Sequence, residues 1–202
     1  YDYEGQRQDL IRYMRETENQ LQILLCELAA YLHNKDMEIN VWDRIIAFEG
    51  RMHEFIKAAY DYQDNTFHSH PGYYIDYFEM RLAQLQVLHN LHYEIKKIRK
   101  MPKQALVIAD YIMYMADYVV EMNIPDQQIE KLEEISEQMK QEELPKTREE
   151  FEGRALLYHI LMDLEEFLVY KKRFVNGLDE KKLRIYWKQE MEQKDSANEL
   201  QK

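Results

Sequence analysis

Three groups of side chains in this 202-residue chain have types and spacings that could do chemistry. The first is a polar stripe, Glu152, His159, Asp163 and Glu166, separated by seven, four and three residues, so all four share one face of a helix. Such a stripe would suit general acid/base work, with His159 paired to Asp163. It equally describes the wet face of an amphipathic helix, where i,i+4 pairs are ordinary. No nucleophile motif, oxyanion loop or phosphate-cradling glycine run accompanies it, so the solvated-face reading is preferred. The second group is two pairs, His89 with His92 and Glu49 with His53, each able to share a helical face. A carboxylate-bridged metal centre in a bundle needs Glu-x-x-His pairs on two helices. The chain contains none, and no metal, cofactor or catalytic residue is expected. The third group is Tyr74, Tyr77 and Arg81, at successive turns. Two rings beside a guanidinium would suit an aromatic carboxylate, and would equally suit an internal Arg–Glu pair. The lone Cys26, in an apolar stretch, reads as a buried thiol in a reducing compartment.

Helices must position these groups. With 5 Gly and 4 Pro among 202 residues, tight turns have few sites. Sparse Val and Thr argue against strands. Apolar residues at spacings of three, four and seven predict helices over about 4–33, 41–62, 71–100, 103–122, 126–141, 148–176 and 179–193. Pro71 suits a first helical position, and Met101-Pro102 ends the third helix. Thr147 and Glu150 form a capping box, and Gly177 supplies a left-handed terminator. Gly50 suggests a close helix contact. The sixth helix, apolar around most of its circumference from Ala155 to Met162, reads as the central one. The expected fold is all-α: an up-and-down antiparallel bundle of four long helices with two or three shorter ones, within a single domain spanning 1–202. The bundle covers about 4–177, the C-terminal helix about 179–193, and a frayed tail 194–202.

The charge of −11 excludes a general nucleic-acid binder. Lys96, Lys97, Arg99, Lys100 and Lys103 read as cations complementing the C-terminus of the third helix. No apolar run approaches the roughly 20 residues of a membrane span. The opening at Tyr1 suggests a segment of a longer protein.

Two runs carry a resemblance. Leu144-Pro145-Lys146-Thr147-Arg148-Glu149-Glu150-Phe151-Glu152-Gly153-Arg154-Ala155-Leu156-Leu157 resembles the signature of the cytoplasmic C-terminal domain of the putative aromatic acid exporter family, Gram-positive membrane proteins. Tyr73-Tyr74-Ile75-Asp76-Tyr77-Phe78-Glu79-Met80-Arg81 is similar to a second segment of that domain, and Leu24 to Leu32 to its opening helix. The likeness covers about Tyr3 to Phe174, while the His-rich loop from Thr66 to Gly72 departs from it.

The resemblance implies an N-terminal transmembrane domain, absent from this chain, as its partner. The expected role is non-enzymatic: a cytoplasmic domain on the inner face of the plasma membrane, supporting assembly or regulation of an exporter. With Tyr1 beside the bilayer and helices alternating in direction, Lys171, Lys172 and Arg173 would face anionic lipid. The alternative is a ligand-sensing module in which Tyr74, Tyr77 and Arg81 bind a small aromatic carboxylate. Exposed Tyr and Met surface would allow a homo-oligomer. In the signature itself, Phe151 is expected to pack inward and Glu150 to pair with Arg154.

Overall fold

A computed structural model describes residues 2–34, 40–65, 72–187 and 199–201. It contains seven principal helices: α1 (Tyr3–His33), α2 (Val41–Asn65), α3 (Gly72–Lys96), α4 (Ala105–Ala116), α5 (Asp126–Lys140), α6 (Arg148–Asn176) and α7 (Glu180–Tyr186). Among the described residues there is no strand, and no helix is long and apolar enough to cross a membrane. Pro71, most of the His-rich loop and the continuation of the last predicted helix to residue 193 lie outside the described residues.

The central helix is α3, not α6. It packs on α6, α2 and α1, and buries residues on nearly every side, from Tyr73, Ile75 and Tyr77 to Leu85, Val87 and Ile95. By contrast, α6 buries one stripe, Leu157, Ile160, Leu161, Leu164, Phe167 and Leu168, and leaves Met162 62% exposed. The long apolar stripe of α1 packs against α4, α2 and α3, while α5 lies on α6 and α4. Burial of 46 apolar residues in one core, the larger aliphatic and Phe side chains contributing about 1.5–3 kcal/mol each, offsets the chain entropy of ordering these helices.

Several local expectations are corrected by packing. Helix α3 ends at Lys96 because its last turn tightens, Lys97 and Ile98 donating to the carbonyls of Glu94 and Ile95. Gly177 ends α6 in the right-handed region (φ −78°, ψ −7°), its N–H reaching the carbonyls of Arg173 and Phe174. A Cβ on Gly50 would meet open space, whereas one on Gly153 would stand 3.0 Å from Pro102 Cγ and 3.3 Å from the Lys100 carbonyl. The close approach therefore belongs to α6. Cys26 is exposed, its thiol pKa raised by desolvation and by the neighbouring carboxylates of Asp117 and Glu27. Phe151 is 62% exposed. Arg154 turns to the Glu143 carbonyl instead of Glu150. Half of the capping box forms: Thr147 Oγ1 accepts from the Glu150 N–H at 3.1 Å, while the Glu150 carboxylate accepts from the Lys146 N–H, one residue before the expected Thr147 donor.

The largest departure is α4, which stops at Ala116 although its apolar pattern runs to Met122. Side chains from other helices capture the backbone that follows. Gln22 donates to the Val119 carbonyl (3.1 Å), Glu18 accepts from the Glu121 N–H (2.9 Å), and Lys171 Nζ donates to the carbonyls of Val120 (2.8 Å) and Asn123 (2.9 Å). These bonds replace the helical ladder and hold Glu121 in the interior.

Candidate functional site

A continuous polar network crosses the core where α1, α3 and the 117–123 segment meet. Glu18 stands in register with Met14, Leu21 and Leu25 on the inward stripe of α1, so the helix itself delivers a carboxylate to the interior. Arg15 joins it to Glu121, with Nη1 donating to Glu18 Oε1 at 2.8 Å and Nη2 to Glu121 Oε1 at 3.0 Å. The Tyr77 hydroxyl donates to Glu18 at 3.3 Å and accepts from Arg81 Nε at 3.0 Å. Arg81 is 1% exposed; its Nη1 donates to Gln84, which donates in turn to the Phe167 carbonyl on α6. Tyr73 hydrogen-bonds to Glu121 and accepts from the Trp187 indole at 3.0 Å. Burial drives both Tyr73 and Tyr77 far above the ordinary phenol range, so each remains a protonated donor to its carboxylate.

Beside this network lies a cavity of about 440 Å³. Helix α1 contributes Arg7, Ile11, Met14 and Arg15 at helical spacing, α3 contributes Tyr74, and α7 contributes Ile185 and Tyr186. Helix α7 is short and buries none of its own residues, so its position depends on its last ring and on the residue that follows. Tyr186 stacks on Tyr73 with centroids 3.9 Å apart, and the buried Trp187 completes the hydrogen bond to Tyr73. Desolvation pushes the Tyr74 phenol up to about 12 despite the adjacent Arg7 guanidinium. The cations differ in availability. Arg15 is committed to two buried carboxylates, whereas Arg7 meets the exposed Glu4 at 3.3 Å and the phenols of Tyr74 and Tyr62.

The predicted ligand group is thus divided. Tyr74 lines the cavity, while Tyr77 and Arg81 are fully buried in the network behind it; Arg81 forms no Arg–Glu ion pair among the described residues, donating instead to Tyr77 and Gln84. Lys171 does not face outward: it is 4% exposed and spent on two backbone carbonyls. Lys172 pairs with Asp126, and the exposed Arg173 lies over the Tyr170 ring. The α6 stripe is largely solvated: Glu152, His159 and Glu166 are exposed, and half-buried Asp163 is pushed up to about 6 by desolvation and by Glu94 and Glu166. His89 approaches Glu49 at 3.7 Å, His92 is buried against Trp42, and His53 is exposed. No cluster among the described residues could hold a metal ion.

Sequence reasoning missed Arg7, Arg15, Glu18, Glu121 and Trp187. Only Glu18 left a legible signal, a carboxylate at an inward position of an apolar stripe. Glu121 was invisible because its placement depends on α4 ending early.

Comparison with known proteins accounts for the architecture. Over 167 residues the chain is 26% identical to the uncharacterized protein YqjA of Bacillus subtilis (strain 168), covering 82% of this chain and 51% of that protein. It therefore spans about half the length of that relative. The fold matches a crystal structure described as a putative membrane protein from Clostridium difficile 630, with a TM-score of 0.72 and 24% identity, covering 82% of this chain and 98% of that one. Residues 7–172 match the sequence profile of one family, and the contacts of Tyr186 and Trp187 lie beyond that match. The chain belongs to the Putative aromatic acid exporter C-terminal domain family.

Proposed function

We propose that this chain is a non-catalytic module of a membrane exporter, held on the cytoplasmic face by a transmembrane domain that precedes it and serving that exporter's assembly or regulation. The observation that carries this reading is the family match over residues 7–172. The coverage of only half of YqjA leaves length for a membrane portion. In this reading the four long helices, α1, α2, α3 and α6, alternate in direction, which the short connections at 34–40 and 66–71 favour. That arrangement brings Lys172 and Arg173 toward anionic lipid. The test is the complete reading frame and its product. Apolar spans of about 20 residues upstream, and fractionation of the whole protein with membranes, are expected; a full-length protein lacking both would overturn the reading.

A second reading rests on the cavity beneath α7. Rings from Tyr74 and Tyr186, apolar walls from Ile11, Met14 and Ile185, and a redirectable guanidinium on Arg7 suit a small aromatic carboxylate. Tyr77 and Arg81 act in this reading as the rigid backing of the site. Calorimetry with hydroxybenzoate-type acids should give saturable heat that Arg7→Ala abolishes. Absence of heat with the wild-type chain would remove this reading.

A further inference from the structure

The signature segment takes no part in the cavity beneath α7. It lies at the other end of α6, about 40 Å away along a 29-residue helix. There the loop between α3 and α4, residues 97–104, carries Lys97, Arg99, Lys100 and Lys103 and no acidic residue, in a chain whose net charge is −11. The loop is pressed onto the first turns of α6, as the clearance at Gly153 shows. Because α3 stops at Lys96, Lys100 and Lys103 do not cap its C-terminus. They stand instead beside the N-termini of two helices, α4 starting at Ala105 and α6 at Arg148. Cations at the positive ends of helix dipoles repel. Acidic residues in the first turn of α6, Glu149 and Glu150, relieve this only in part, because the Glu150 carboxylate is drawn to the Lys146 N–H at 3.1 Å.

Between these elements lies a cavity of about 250 Å³ lined by Lys100, Lys103, Gln104, Thr147 and Glu150, with Met101 and Pro102. Neither lysine forms an ion pair among the described residues. Gln104 is 6% exposed and lines the cavity, yet its side-chain amide neither caps α4 nor makes any other hydrogen bond among the described residues. The Gln104 amide opens to the solvent of the cavity with no partner among the described residues, beside two cations, and one bound anion would engage both. Thr147 Oγ1 accepts from the Glu150 N–H, which leaves its hydroxyl proton free to donate.

We propose that this cavity is a phosphate-binding site, in which Lys100, Lys103, the Thr147 hydroxyl and the Gln104 amide hold one phosphate group beside the N-terminus of α6. A doubly charged tetrahedral anion matches two ammonium groups and several separated donors better than a planar carboxylate does, and it outweighs the single carboxylate of Glu150. A free phosphate compound and a phospholipid headgroup share this chemistry.

Two probes distinguish the sources with the 202-residue chain. Inorganic phosphate is titrated while backbone amide resonances are followed. Separately, vesicles of phosphatidylcholine with and without phosphatidic acid are tested by cosedimentation. Saturable shifts at Lys103, Gln104 and Thr147 with inorganic phosphate, weakened about tenfold or more by Lys100→Ala/Lys103→Ala, support a site for a free phosphate compound. Binding only to phosphatidic acid vesicles, with the same dependence on the two lysines, supports a headgroup site. Gln104→Leu, which leaves net charge unchanged, should also weaken the productive probe, while Lys181→Ala/Lys182→Ala on α7 should not. No binding of either probe, or equal binding by the wild-type and lysine-free chains, overturns the proposal.

Discussion

At the end of α6 near Phe174, Glu18 and Glu121 share the Arg15 guanidinium and hydrogen-bond two tyrosines; at the end near Thr147, Lys100 and Lys103 face helix N-termini without an ion pair. The first region satisfies most of its charges internally and is sealed by Tyr186 and Trp187. The second leaves Lys100 and Lys103 exposed at the surface without an ion pair among the described residues. The contrast teaches that polar residues in one helical domain serve two ends: a closed network spends its donors and acceptors on one packing, while an open cluster keeps its donors available to solvent and, in the proposal above, to an anion.

The largest test of this contrast is Glu18→Ala. It strips partners from Arg15 and from the buried Tyr77 hydroxyl and Glu121 N–H, so a loss of about 3–5 kcal/mol is expected in denaturant unfolding. A loss below about 1 kcal/mol would show that the network is not the closed unit described. Next, Trp187→Ala should cost up to about 3 kcal/mol and raise hydrogen exchange in α7 selectively, because Trp187 and Tyr186 hold that helix. Equal protection of α7 in the variant would sever the link between Tyr73 and its cover.

A smaller effect is expected midway along α6, at Asp163. Its folded pKa, about 6, lies above the 3.8 of an unperturbed aspartate. Folding therefore retains a proton that the unfolded chain releases, so this residue's contribution falls as pH rises from about 4 to 6 and stays lowered above that range. Asp163→Asn should leave stability unchanged near pH 3.5 and raise it by about 1 kcal/mol at pH 7, since partial solvent exposure screens the charge. A pH-independent difference would place the cause in packing. Smallest of all, Lys103→Ala should stabilise the anion-free protein by about 0.3 kcal/mol through lost repulsion at the helix N-termini. Destabilisation in phosphate-free buffer would mean that this end, like the other, is already satisfied.

How far the chain could be read without coordinates varied with the origin of each signal. The limits of α6 matched those expected, because Thr147, Glu150 and the residues before Gly177 encode its ends locally. The proposed antiparallel arrangement of the long helices and the proposed exporter role would depend on partners and packing that local patterns do not encode. Of the three residues read as a ligand group, Tyr74 reached a cavity, whereas Tyr77 and Arg81 were drawn into the core by Glu18 on another helix. The basic loop was legible as charge but not as a site, since its meaning changed when α3 ended at Lys96.

All-helical class, helix order and family kinship follow from apolar periodicity, scarce turn residues and two short motifs, each encoded within a few consecutive turns. Which helix became central, where α4 stopped and which charges met were settled only on packing. Those outcomes turn on competition between groups far apart in the chain: Glu18 and Lys171 outcompete the helical ladder for the backbone of residues 120–123 because, once buried, a carboxylate and an ammonium must find partners.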